Sequence, residues 1–134
     1  MLAQLQKAHL ELQAAIAALE TETACSTPDQ ARLSAARLQV TRLSGRRKML
    51  IDCTIGPHLR DIPADDARQI QNLRSEAARM AVESSEHIVG WTMANIVADW
   101  DGYRRASAEM RESMRRRIAD EQAILYPLLQ TRGG

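Results

Sequence analysis

The chain has 134 residues, a length that fits one domain and suffices to bury a core without cross-links. Its 18 Lys and Arg against 17 Asp and Glu leave a formal net charge of +1, which excludes a bulk electrostatic drive towards nucleic acid or anionic membrane. Aromatic residues make up only 3% and Phe is absent, so the 45% of hydrophobic residues must build a core from Leu, Ala, Ile and Met, which suits helices rather than sheet.

The first predicted helix covers about Leu2 to Thr23, with an apolar line at Leu2, Leu5, His9, Leu12, Ile16 and Leu19. His9 occupies a position where leucine would be the default. A short connection with Cys25 and Ser26 follows. Thr27-Pro28-Asp29-Gln30 then signals a new start, with Thr27 as cap, Pro28 in the first turn and Gln30 placed to close a capping box. The second helix runs to about Arg60 on the line Leu33, Ala36, Val40, Leu43, Arg47, Leu50 and Thr54, weakened by Gly45 and Gly56-Pro57.

Ile62 to Asp66 makes the next turn, and its acidic residues favour the positive end of a third helix. That helix is expected to last to about Val97, on the line Ile70, Leu73, Ala77, Met80, Ser84, His87, Trp91 and Ala94. Asp99 or Asp101 caps the fourth, which reaches about Leu129 on Tyr103, Ser107, Met110, Met114, Arg117, Glu121, Ile124 and Leu128. Residues 1–130 are thus expected to form a single all-α, up-down-up-down antiparallel four-helix bundle, with 131–134 as a flexible tail. Matching residues across the turns puts His9, Arg47, Ser84, Arg117 and Glu121 in one polar layer, with Asp52 close by and His87 one to two turns away.

Arg117-Ile118-Ala119-Asp120-Glu121 leading into Leu125-Tyr126-Pro127 resembles the helix of the hemerythrin-like (HHE cation-binding) family in which a His and acidic residues precede Leu-Tyr/Phe-Pro. Arg47 through Asp52 to Ile55-Gly56-Pro57 is a fainter copy, and His9-Leu10-Glu11-Leu12 resembles the opening histidine helix. The resemblance implies an antiparallel four-helix bundle that holds two iron ions through histidines and carboxylates. His9 then matches a ligand of the first helix and Glu121 is close to the carboxylate of the fourth.

Arg47 and Arg117, however, stand where the family has histidine ligands, Ile51 where it has a bridging carboxylate, and no histidine lies near Ala77. A guanidinium has no lone pair to give and stays protonated. It would also repel a divalent cation ~5 Å away by roughly 6 to 7 kcal/mol at an effective dielectric near 20. The expectation is therefore a bundle without an intact di-iron site and without a cofactor, in which the arginines neutralise Glu121 and Asp52. The alternative keeps iron on His9, His87 and Glu121, in a sensor of oxygen, nitric oxide or redox state.

Simpler readings stand beside these. His9 can be a satisfied core histidine, and Arg117 with Glu121 an ordinary ion pair one turn apart. Arg46 to Lys48 and Arg115 to Arg117 read as a solvated face rather than a nucleic-acid surface, because acids interleave with them. Met80, Met110 and Met114 read as gap fillers, Trp91 and Trp100 as the closure of the far end, and His58 as a surface cap. Cys53 reads as a small buried hydrophobe and Cys25 as an accessible thiol, too far apart to bridge. No phosphate loop, Glu-X-X-His pair or nucleophile elbow is present, so no enzyme activity is expected. The opening lacks the long apolar run of a signal peptide, which predicts a cytoplasmic protein without membrane spans. An unidentified protein partner is expected, or a homodimer through the helix faces.

Overall fold

The structure, a computed structural model, describes residues 1–58 and 61–132, with residues 56–58 and 132 as backbone only. It contains five helices and no strand among the described residues: α1 (Leu2–Thr23), α2 (Gln30–His58), α3 (Ala64–Gly90), α4 (Met93–Ala98) and α5 (Trp100–Arg132). None of them is long and apolar enough to cross a membrane. The side chain of His58 and the tail residues Gly133 and Gly134 lie outside the described residues, as does the expected end of the second helix at Leu59 and Arg60.

α1 packs against α2 and α5, while α3 and α4 pack against α5. Side-chain pairs fix the direction of the two contacts of α1. Going up α1, His9, Glu20 and Thr23 meet Glu121, Arg115 and Arg111 going down α5. Glu11 and Glu22 likewise meet Arg46 and Arg32 of α2. These exposed pairs account for Arg46 and Arg115 in the two basic runs, at a stabilisation of about 0 to 1 kcal/mol each.

The apolar lines hold for α1, where Leu5, Leu12, Ile16 and Leu19 are buried. The buried stripe of α5 is wider than expected, because Ile118, Leu125 and Leu129 join Met114. A core-facing helix buries an arc broader than a single heptad line, so positions next to the line are buried too. Two apolar clusters result. One gathers Leu12, Ile16, Leu33, Val40, Tyr103 and Ile118, and the other Leu5, Ile51, Ile70, Leu73, Leu125 and Leu129.

Three details differ from the sequence expectation. α2 is capped by Asp29, whose carboxylate accepts from the Arg32 amide at 3.0 Å, and not by Thr27. The expected third helix breaks at Gly90: its end bonds back from Trp91 N to His87 O at 2.9 Å, and Thr92 caps α4 by accepting from the Asn95 amide at 3.2 Å. Asp99, one of the two expected caps, holds the start of α5 by accepting from Gly102 N at 3.0 Å, and a Cβ on Gly102 would collide with that carboxylate. Finally, α5 continues past Leu129 through Thr131 and Arg132, carrying Pro127 within it.

The break has a consequence for register. Residues 91–99 fold into a turn and a short helix instead of advancing along α3, so α3 sits about two turns higher against α5 than a continuous helix would. Ser84 faces Met110, with its hydroxyl 3.8 Å from the Met110 sulfur, and Leu73 faces Arg117.

Candidate polar core and adjoining cleft

Between the two apolar clusters lies a layer of buried polar side chains. His9, Arg47, Arg117 and Glu121 are 0%, 8%, 4% and 1% exposed, which requires that nearly every charge be matched internally. His9 comes from the middle of the α1 stripe, Arg47 from α2, and Arg117 and Glu121 from successive turns of α5.

Glu121 is the centre. Its Oε1 lies 2.9 Å from His9 Nε2, and its Oε2 accepts from Arg117 Nε at 3.1 Å and pairs with Arg47 at 3.7 Å. A carboxylate only accepts, so Nε2 of His9 carries the proton. Its Nδ1 lies 2.6 Å from the Tyr126 hydroxyl, a group that can donate to the ring or accept from it. Arg117 also donates to the Leu73 carbonyl of α3, tying α3 to the layer. Desolvation pulls the Arg47 guanidinium below its ordinary value; Glu121 opposes this shift and the neighbouring Arg117 adds to it.

The other two expected members, Asp52 and Ser84, do not join. Asp52 is exposed, because it lies five residues past Arg47 and is rotated off the face that Ile51 and Thr54 bury. Ser84 is half-buried beside Met110 and sits above the layer. His87 is farther still: ten residues beyond Ala77, about 15 Å along the helix, it stacks on Tyr103 with ring centroids 5.9 Å apart. Burial, and secondarily Arg37, hold its imidazole below the ordinary value. Cys53 is exposed rather than buried, again because it lies off the inner face of α2, and Cys25 is exposed as expected; both are free thiols.

The donor set does not fit a metal ion. The layer's lone-pair donors in reach are His9 and Glu121, and both are engaged: Glu121 by three partners and His9 by Glu121 and Tyr126. Among the described residues no group of three His, Cys, Asp or Glu converges as a metal site would require.

Two residues were missed by the sequence reading. Tyr126 was noted only as part of a motif, although one turn beyond Gln122 it is well placed to reach His9. Arg111 is 7% exposed and donates to Thr23 Oγ1 at 2.9 Å and Ser107 Oγ at 2.8 Å; Ser107 on the apolar line, one turn before an arginine, was the available signal.

The chain's two tyrosines, Tyr103 and Tyr126, are both pushed above their ordinary value, chiefly by burial. Folding therefore favours the protonated phenols. Their contribution is intact below about pH 10 and is lost as the pH rises from there through the higher folded values. A tyrosinate absorbance titration of the folded protein should show both phenols ionising above the ordinary pH. Half-ionisation near pH 10 in folded protein would place both rings in water.

No family model matches the chain, no curated protein is significantly similar to it, and no solved structure matches it significantly.

Proposed function

We propose that this is an up-down-up-down four-helix bundle of hemerythrin-like type that lacks a di-iron site and acts in the cytoplasm as a non-catalytic regulatory or interaction protein. In this reading α1, α2, α3 and α5 are the four bundle helices and α4 belongs to the last connection. The observation that carries it is the grip on Glu121 by His9, Arg117 and Arg47. Fixed guanidinium charge balances the carboxylate where the family uses a metal, and arginine cannot be converted to a ligand at any physiological pH.

Protein purified from iron-supplemented culture should have a featureless visible spectrum and substoichiometric iron, manganese and zinc. Stoichiometric iron with oxo-bridged ferric bands would refute the proposal in favour of a metal-based sensor.

A further inference from the structure

α2 and α3 each lean on other helices and leave a cleft between them, floored by α5. Its upper stretch has a cavity volume of ≈ 180 Å³ and is walled by Val40, Met80, Met110, Met114 and the Tyr103 ring. The lower stretch, ≈ 120 Å³, shares Arg47, Lys48 and Ala77 with the upper one and continues to Leu73 and Ile51. Methionine walls adapt to linear apolar shapes.

The charge along this cleft is one-sided. Arg37, Arg47, Lys48, Arg74, Arg111 and Arg117 line it against two carboxylates, Asp52 and Glu121, both in the lower stretch. The chain as a whole is nearly balanced at 18 basic to 17 acidic residues, and the outer arginines Arg46 and Arg115 are met by glutamates of α1. A second observation points the same way. Arg37 Nη2, Arg47 Nε, Arg111 Nε and Arg117 Nη1 are buried nitrogens without a protein hydrogen-bond partner, and all four belong to residues lining the cleft. Buried donors are normally satisfied. Arg47 stands out: it reaches Glu121 only as a 3.7 Å ion pair, sharing that single carboxylate with Arg117.

We propose that the α2–α3 cleft binds a small amphipathic monoanion, a carboxylate on a linear apolar body. The carboxylate sits on Arg47, where two guanidiniums face one acid, and the body lies between Val40, Met80, Met110 and Met114 towards Tyr103. An acidic peptide or a partner helix would need a broad apolar rim, whereas this rim carries Thr41, Ser44 and Lys48. The inference rests on reading the protein as one that acts by binding, and it names the ligand class.

The test uses the full chain and decanoate as probe, followed by titration calorimetry and by emission of Trp91 and Trp100, which flank Tyr103. Saturable binding of decanoate is expected, about tenfold or more tighter than 1-decanol, with none for acetate. Arg47→Met should weaken decanoate about tenfold and leave decanol unchanged. Gly45→Leu is the second variant. Gly45 lies on the cleft wall inside α2, and an added Cβ meets nothing within 4 Å, so leucine should raise the melting temperature while narrowing the cleft and weakening decanoate. Loss of binding in a better-folded protein cannot come from unfolding.

Absence of saturable binding, equal affinity for decanoate and decanol, or an unaffected Arg47→Met variant would each overturn the proposal. So would a reversible dimer that decanoate fails to dissociate, because the cleft would then be an interface between two copies. Stoichiometric iron in protein that still binds decanoate would sink the functional reading and keep the ligand. A metal-free protein that ignores decanoate would do the reverse.

Discussion

Glu121→Ala is expected to lower the unfolding free energy by about 3 to 5 kcal/mol, the cost of stranding buried charge without its counter-ion. The carboxylate is 1% exposed and serves three partners, so its removal leaves Arg117 and Arg47 to face each other across a dry layer and takes the acceptor from His9 Nε2. Water can relieve part of this through the cleft beside Arg47, which favours the lower part of the range. The attraction itself is not what makes the cost large. Desolvation offsets much of the gain from burying an ion pair, so replacing Glu121, Arg47 and Arg117 together by Leu, Met and Met should restore most of the loss. Urea unfolding followed by circular dichroism compares the single and triple variants. A single variant as stable as the parent would show that the carboxylate is exposed in solution.

Tyr103→Ala should cost about 3 to 5 kcal/mol, similar to other large aromatic truncations in a core. Tyr103 is fully buried at the start of α5, and three rings converge on it: Trp91 edge-on at 5.6 Å, Trp100 at 5.9 Å and His87 at 5.9 Å. The Arg37 guanidinium lies 5.6 Å from the same ring. Residues from α2, α3, the α3–α4 turn and α5 therefore depend on one side chain. Trp100 extends the connection by donating from its indole N–H to the Cys25 carbonyl at 3.0 Å, which holds the α1–α2 turn. Tyr103→Phe keeps every ring contact and should change stability by less than about 1.5 kcal/mol. Thermal unfolding measures both, and near-ultraviolet circular dichroism of the two tryptophans should collapse in the alanine variant alone. Equal effects from alanine and phenylalanine would place the stabilisation in the hydroxyl instead.

The helical character and most of the long segments were legible because the three-and-four spacing of apolar residues leaves little room for another structure. Polar residues that interrupt those lines were legible for the same reason: His9, Arg47, Arg117 and Glu121 each replace an apolar residue on a buried stripe, and the structure gathers them. The break at Gly90 was hidden because Trp91 and Ala94 continue the spacing across it. The capping pair of Thr92 with the Asn95 amide was the local signal, set behind a glycine. Missing that break shifted the expected level of α3 by about two turns, so Ser84 was placed in the layer and Leu73 was not. Asp52 was assigned from its spacing to Arg47 and Cys53 from its residue type, but at ~100° per residue neither shares the inner face of Arg47. Arg111 escaped notice because a buried guanidinium held by two hydroxyls leaves no acidic partner in the sequence to betray it.

The two uncovered thiols give the molecule a handle at either extremity. Cys25 lies in the α1–α2 turn and Cys53 some 23 residues along α2 from its start, about 35 Å by helical rise, so oxidation within one molecule is geometrically closed. Oxidation between molecules is not. Each chain is a bifunctional monomer in the polymer chemist's sense, and air alone can string copies into disulfide-linked strings that a reductant dissolves. Maleimide dyes placed on the same pair would instead turn α2 into a ruler, reporting by energy transfer whether that helix stays rod-like from its cap to its far end.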